Sequence, residues 1–133
     1  MDMGSKRIGV AMSDELLLTA QAIDTIERKN LKSDLDEIGN LIKDNGICEV
    51  VVGLPLNMDG SYSAKTKEVI EFLDKLLEAV AIPVKTWDER LTSVQAERTL
   101  LEADLSRAKR KKISDKLAAQ IILQSYLDSK GKG

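Results

Sequence analysis

The chain has 133 residues, of which 43% are hydrophobic and 32% charged, and its formal net charge is −2. This length and composition fit one domain with a single core and exclude a disordered chain, and no apolar run approaches the roughly 20 residues that span a bilayer. The chain has no histidine. Serine–histidine and cysteine–histidine nucleophiles and histidine-ligated zinc are therefore excluded, and carboxylates, lysines, hydroxyls or a hard metal ion must carry any catalysis.

The first part of the chain predicts three strands and a helix. Met1-Asp2 resembles the end of a strand, and residues 8–12 and 17–26 predict two more, which together favour an antiparallel meander. A helix follows, because apolar residues recur at spacings of four, three and four; these are Leu31, Leu35, Ile38 and Ile42. Gly46 is a plausible end for this helix.

The second part of the chain alternates strands and helices. Residues 49–54 form a short apolar run typical of a buried strand, and the 55–61 loop leads into a helix with Val69, Leu73, Leu76 and Val80 on one side. Residues 82–87 predict a further strand. A capping box at Thr92-Ser93-Val94-Gln95 predicts a helix to about Glu102.

The end of the chain predicts a basic connection over residues 106–113 and a last helix that begins at Ser114-Asp115. Residues 129–133 are expected to form a flexible tail. The order is then β-β-β-α-β-α-β-α-α. Residues 1–128 are expected to form one α/β domain, with a mixed five-stranded sheet and helices on both faces.

The single cysteine, Cys48, cannot form an internal disulfide. It lies beside the apolar run Val50 to Val52, so we expect a buried thiol in a reducing compartment, and we favour the cytoplasm.

Three carboxylates are predicted to lie at one edge of the sheet. Asp2 ends the first strand, Glu89 follows the fifth strand, and Asp115 lies in the first turn of the last helix. Sites form beyond the carboxyl ends of parallel strands, and converging carboxylates are costly unless a divalent cation lies among them. Oxygen ligands without histidine or cysteine favour Mg²⁺ or Mn²⁺, and two such ions could activate water for attack on a phosphodiester.

Each acid also has a simpler interpretation. Asp115 would complement the dipole of a helix if it served only as a first-turn residue. Glu89 could form a surface ion pair with Arg90. Asp88 is adjacent and equally acidic, and because side chains alternate along a strand, only one of Asp88 and Glu89 is expected to face the site.

A dense basic run precedes Asp115, and it consists of Arg107, Lys109, Arg110, Lys111 and Lys112. With Lys6, Arg7 and Arg90 nearby, it would attract a polyanion despite the negative total charge, although such a run is also typical of a solvated surface. Aromatic residues are scarce, so contacts to phosphate rather than base stacking would dominate binding. Asn57 and the backbone of the 55–61 loop could also contact substrate, or the loop could be an ordinary proline–glycine turn.

Four segments carry a resemblance to a known family. Asp2-x-Gly4-x-Lys6-Arg7-Ile8-Gly9-Val10-Ala11 resembles the opening motif of the YqgF family, whose members are named as pre-16S rRNA nucleases and as Holliday-junction-resolvase-like proteins. The other three motifs resemble segments in the same order along nearly the whole chain. They are Val52 to Ser61, Asp88-Glu89-Arg90-Leu91-Thr92-Ser93, and Lys109 to Lys112 with Asp115 to Ala119 and Ile122 to Leu127.

The resemblance implies a ribonuclease H-like fold and a bacterial cytoplasmic nuclease that processes the 5′ end of 16S rRNA, with Asp2, Glu89 and Asp115 in the catalytic positions. Its implied partners are pre-16S rRNA and ribosomal precursor particles, with no membrane, and we expect a monomer or a weak homodimer. Only Met1 precedes the first aspartate, whereas family members have several apolar residues there. We therefore expect a short first strand that anchors Asp2 weakly.

Two other functions stay open at this point. A resolvase that cleaves branched DNA would use the same reaction, and phosphate-led binding does not report the type of sugar. A non-catalytic RNA-binding ribosome-assembly factor would bind RNA in a salt-dependent way even without the three carboxylates.

Overall fold

The computed structural model describes residues 1–4, 6–14, 16–17, 19–91 and 107–131, with residues 107–116 described by their backbone alone. The strands are β1 (Asp2–Met3), β2 (Arg7–Ser13), β3 (Ala20–Glu27), β4 (Val50–Leu54) and β5 (Val84–Asp88). The helices are α1 (Leu31–Asp44), α2 (Ala64–Ala79) and α3 (Arg107–Gly131), and a single 3₁₀ turn spans Glu89–Leu91.

The strands form two sheets. β1, β2 and β3 form an antiparallel meander, with a register shift between Val10 and Ala11, and β4 pairs with β5 in parallel. Two hydrogen bonds join the sheets at Met1. Its backbone nitrogen donates to the carbonyl oxygen of Val51 at 2.6 Å, and its carbonyl accepts from the nitrogen of Gly53 at 3.0 Å. The short strand β1 is therefore bonded along both of its edges. The fold is mixed α/β, consistent with a ribonuclease H-like fold, but the structure does not assign the five strands to one sheet.

Helices α1 and α2 cover one face of the strands. Ile38 from α1 and Phe72 and Leu76 from α2 pack in one cluster with Val50 and Val52 of β4. Helix α1 begins where the Asn30 side chain accepts a hydrogen bond from the Ser33 nitrogen, and α2 begins with a capping box between Ser63 and Thr66. The apolar stripes predicted for these helices therefore point into the core, except for Leu31 at the start of α1, which is exposed.

Helix α3 packs on the other face, across β2 and β3. Among its described side chains, Ala119, Ile122 and Leu127 are buried. Two glutamines fix it to β3, because Gln120 donates to the carbonyl of Ala20 and the Ala20 nitrogen donates to Gln124, both at 2.9 Å. Within the described ranges, no helix is long and apolar enough to cross a membrane.

The structure corrects three expectations about element boundaries. The third strand begins at Ala20 rather than Leu17, because Leu17 lies in a turn with a left-handed backbone at φ 59°. The last helix begins at Arg107, so the described part of the basic run is helical rather than a connection, and Asp115 does not lie in a first turn. The same helix continues to Gly131, so the predicted tail is helical over residues 129–131. The helix predicted from Ser93 to Glu102 lies outside the described residues.

The prediction for Cys48 is also wrong, because the side chain is exposed. Cys48 lies in the connection between α1 and β4, before the buried part of the strand, and its thiol lies 3.7 Å from the carbonyl oxygen of Gly46.

Candidate active site

Asp2 and Glu89 lie together on the face of the strands that α3 covers. Asp2 pairs with Gly9 in the β1–β2 ladder, and Glu89 opens the 3₁₀ turn directly after β5. Met1 and Met3 pack against the α1/α2 core, so strand alternation turns the Asp2 side chain to the opposite face. There the Asp2 carboxyl group lies close enough to that of Glu89 to raise the pKa of Glu89. Two acids that are remote in sequence therefore share one site.

The surroundings of Glu89 favour its protonated form. Burial, together with the charge and the hydrogen bond of Asp2, raises the pKa of Glu89 to about 7, while the Met1 amino group and Lys65 lower it by smaller amounts. Burial and the negative charge of Asp2 therefore outweigh the two nearby positive charges and favour the protonated form of Glu89.

Gly53 leaves the space that the Glu89 side chain occupies. A Cβ atom on Gly53 would lie 2.9 Å from Oε1 of Glu89 and 2.6 Å from Cδ1 of Ile122 in α3, which is closer than real contacts allow. A glycine inside a strand commonly marks such a close approach. Strand β4 and helix α3 thus hold Glu89 between them.

The choice between Asp88 and Glu89 has a geometric answer. Asp88 accepts hydrogen bonds from Nε and Nη2 of Arg90, the shorter at 2.7 Å, and from the Arg90 backbone nitrogen at 2.9 Å. These bonds lower the pKa of Asp88, so it is a satisfied ionic partner. Glu89 faces Asp2 instead, and the suggested Glu89–Arg90 ion pair does not form.

The predicted substrate-binding residues lie in different surroundings. Lys6 is exposed before β2, whereas Arg7 donates through Nε to Glu27 at 3.1 Å. Asn57 donates to Oγ of Ser61 at 2.9 Å inside its own loop. Lys109 and Arg110 lie in the first turns of α3, but their side chains are outside the described part of the chain.

Asp115 belongs to α3, and its side chain is likewise not described. Among the side chains that the structure describes, no group of three histidines, cysteines or acids could hold a metal ion. The described part of the site is therefore the Asp2–Glu89 pair.

Two residues that contribute to the site, Gly53 and Lys65, were not predicted from the sequence. Gly53 was assigned only to a buried strand and a motif, although glycine within an apolar run is itself a signal of close packing. Lys65, in the first turn of α2, acts on the pKa of Glu89 through its charge. No pattern marked it, because its position depends on how α2 packs.

Comparisons with known proteins show the family of this chain. A family model described as "RuvX: Holliday junction resolvase" matches residues 1–129. A protein of Caldanaerobacter subterraneus subsp. tengcongensis is 55% identical over 130 residues, which cover 97% of this chain and 94% of the relative. A protein of Clostridium novyi is 51% identical over 129 residues, which cover 97% of this chain and 96% of the relative. Both relatives are named "Putative pre-16S rRNA nuclease". The match extends over nearly all of the chain, and the chain belongs to the RuvX family, described as Holliday junction resolvases.

Proposed function

We propose that this chain is an endonuclease that hydrolyses phosphodiester bonds with a divalent cation held by Asp2, Glu89 and Asp115. The observation that carries the proposal is the partly buried Asp2–Glu89 pair, in which the pKa of Glu89 is raised to about 7. A folded chain keeps two acids in contact at a cost to its stability. A cation would reverse that cost, because it would displace the shared proton and pair with both carboxylates.

The donor set fits a hard metal ion. Asp2 and Glu89 offer only oxygen atoms, and the chain has no histidine, so Mg²⁺ or Mn²⁺ fits better than zinc. Such an ion, when bound, supplies an activated water and neutralises charge on the phosphate. The protein fixes the positions of the two carboxylates through the β1–β2 ladder and the 3₁₀ turn, and it holds the Glu89 side chain between Gly53 and Ile122.

The position of Asp115 along α3 supports its inclusion. Residue 115 precedes Ala119 by four positions and Ile122 by seven, and these residues are 0% and 2% exposed. The spacing of four and seven residues in a helix supports the proposal that residue 115 shares a side of α3 with these two residues. Tyr126 of α3 contacts Glu49, just before the start of β4, and Ile122 of α3 lies at Gly53, near the carboxyl end of β4. Helix α3 therefore runs antiparallel to β4, and its residues before Ile122, including residue 115, extend beyond the carboxyl end of that strand.

We also propose that the two sheets act as one five-stranded sheet of the ribonuclease H-like type. The hydrogen bonds of Met1 to Val51 and Gly53 have the pattern of a parallel strand pair, which supports the order β3-β2-β1-β4-β5. In that order the strands that carry Asp2 and Glu89 lie on either side of β4.

The proposed substrate is the 5′ region of pre-16S rRNA, within ribosomal precursor particles in the cytoplasm. The names of the relatives support this choice. The basic residues at the start of α3, Lys109 and Arg110 among them, would bind the phosphate backbone together with Lys6. A second candidate is a four-way DNA junction, which the description of the family model favours.

The test is cleavage of precursor 16S rRNA with Mg²⁺ or Mn²⁺. We expect wild type to cleave, and we expect Asp2→Asn and Asp115→Asn to lose roughly 10³-fold in rate, equivalent to about 4 kcal/mol of transition-state stabilisation. Glu49→Gln is the matched control. It also removes one negative charge, but Glu49 precedes β4 and lies at the end of that strand away from Glu89, so this variant should keep wild-type activity. Equal cleavage by wild type and Asp115→Asn would remove Asp115 from the mechanism. A parallel assay on a four-way DNA junction decides between the two substrates.

A further inference from the structure

Arg90 connects the 55–61 loop to the turn that carries Glu89. Its Nη1 atom donates to the carbonyl oxygen of Met58 at 3.1 Å, while Nε and Nη2 are bonded to Asp88. Asp59 also acts on Arg90, because its charge raises the pKa of the guanidinium. One side chain therefore spans from the end of β5 to the middle of the loop.

The loop that Arg90 contacts is itself closed and well bonded. Leu56 and Tyr62 form a β-bridge at its base, and the Asn57 nitrogen donates to the carbonyl of Ser61 at 2.9 Å. The Gly60 nitrogen donates back to the Asn57 carbonyl at 2.8 Å. Gly60 has φ 88°, and a Cβ there would lie 3.3 Å from Nη1 of Arg90, so glycine permits both the turn and the close approach of the guanidinium.

The surroundings of Arg90 disfavour a role as a ligand for phosphate. Nε, Nη1 and Nη2 each donate to an acceptor within the chain, and the carboxylates of Asp88 and Asp59 supply negative charge beside it. A phosphate would meet the two remaining N–H groups of the guanidinium beside two carboxylates, which repel it. This geometry favours a structural role for Arg90 over the substrate contact expected from the sequence.

We propose that Arg90, held by Asp88, is a positioning residue that sets where the 55–61 loop holds the nucleic acid relative to Glu89. This inference rests on the proposed nuclease function. The 55–61 loop begins directly after β4, whose residue Gly53 lies against Glu89, and Arg90 directly follows Glu89 in the chain. Both the start of the loop and the side chain that holds it therefore lie close to the acids. A shift of about 1 Å in a substrate-holding element can cost on the order of 10² in rate.

The test compares Arg90→Lys, Asp88→Asn and Arg90→Ala in cleavage and in RNA binding at several salt concentrations. Lysine keeps the charge but lacks the planar fork that reaches Asp88 and Met58 together. We expect Arg90→Lys and Asp88→Asn each to lower kcat by about 10-fold to 100-fold. In all three variants the slope of log affinity against log salt should stay at the wild-type value. Lys85→Gln is the control, because Lys85 also pairs with a carboxylate, Glu49, but at the other end of the strands.

A phosphate-binding Arg90 would give the opposite pattern. Arg90→Lys would then retain most of the activity, Arg90→Ala would reduce the salt slope by about one, and Asp88→Asn would bind RNA as well as wild type or better and cleave it normally. That result would overturn the proposal.

Hydrogen exchange separates this inference from the nuclease function itself. We expect the amides of Asn57 and Gly60, which are bonded within the loop, to exchange at least 10-fold faster in Arg90→Lys and Asp88→Asn than in wild type and Lys85→Gln. Unchanged protection in both variants would overturn the positioning role even if activity fell. A wild-type protein that fails to cleave any substrate would refute the nuclease function, and the exchange data would still report whether Arg90 orders the loop.

Discussion

Two glutamates lie at opposite ends of the parallel pair of strands, and the groups that surround them have opposite effects on their pKa values. Glu49 directly precedes β4 and accepts a hydrogen bond from the Tyr126 hydroxyl at 2.6 Å, with Lys85 and Lys130 at 3.4 and 3.7 Å. Glu89 directly follows β5 and faces another acid, Asp2. The Tyr126 hydrogen bond, with help from the two lysines, lowers the pKa of Glu49, whereas burial and Asp2 raise that of Glu89 to about 7.

The difference separates a structural carboxylate from the one proposed to bind a metal ion. The chain supplies donors and positive charge for Glu49, and these contacts hold the C-terminal part of α3 against the strands. It supplies a second carboxyl group for Glu89, which disfavours the ionised form of Glu89 unless a cation is added. The contrast can be tested by changing each acid in turn.

The largest expected difference is in metal-linked stability. We expect Mn²⁺ at 100 times its dissociation constant to stabilise wild type by about 2.7 kcal/mol, or roughly 10 °C in Tm. Glu49→Gln should show the same increase, and Glu89→Gln should lose most of it, because that substitution removes a proposed ligand. Thermal unfolding with and without Mn²⁺ measures both. An equal loss in the two variants would remove the distinction between the glutamates.

A smaller effect is expected from pH in the absence of metal. Glu89 has a pKa of about 7 in the folded chain, against 4.5 for an ordinary exposed glutamate. Between these values the folded chain binds more protons than the unfolded one, so this group makes stability fall as pH rises. The full shift corresponds to about 3 kcal/mol, and partial contact with solvent reduces it to about 2 kcal/mol.

The measurement is urea unfolding at pH 5 and pH 8 in the presence of a chelator, compared between wild type and Glu89→Gln. We expect the stability of wild type relative to the variant to fall by about 2 kcal/mol between the two pH values. The comparison is needed because burial lowers the pKa of the Met1 amino group to about 6, and this group makes stability rise with pH in both proteins. Histidine cannot contribute to either curve, since the chain has none. Parallel pH profiles for the two proteins would contradict a protonated Glu89.

The elements that sequence could predict are those in which one periodic pattern decides the structure. Helix α1 buries one apolar side, and the run Val50 to Val52 in β4 is buried on both faces of the strand. Both elements form where the sequence predicts them. The start of α3 could not be found in this way. Ser114-Asp115 resembles a helix start, but lysine and arginine are good helix formers, so the helix continues upstream through the basic residues to Arg107.

The site shows the same limit. The closeness of Asp2 and Glu89 could be predicted from the order of strands, because sites of this kind form beyond the carboxyl ends of parallel strands. Which of two adjacent acids faces inward depended on Arg90, whose guanidinium is bonded to Asp88. The pairing of Arg90 with Asp88 rather than Glu89 could not be predicted from the sequence, because it depends on the direction that the chain takes after β5.

The smallest expected effect concerns the structural glutamate. Tyr126→Phe removes the hydroxyl that donates to Glu49, and we expect a loss of about 1 kcal/mol in the free energy of unfolding, measured with urea at neutral pH. Tyr62→Phe is the matched control, because Tyr62 is 57% exposed and should change stability by much less.

The Tyr126→Phe loss should itself depend on pH in the direction opposite to that of Glu89. The pKa of Glu49 is lowered mainly by the Tyr126 hydrogen bond. This contribution is therefore present above the pKa that Glu49 has in the unfolded chain, and it is lost as pH falls through its folded value. The difference in the free energy of unfolding between wild type and Tyr126→Phe should therefore shrink in acid. The difference between wild type and Glu89→Gln should change between pH 5 and pH 8 instead. A Tyr126→Phe loss that stayed constant into acid would show that the hydroxyl does not act through the ionised Glu49, because the variant keeps the ring that meets Trp87 edge-on at 6.1 Å.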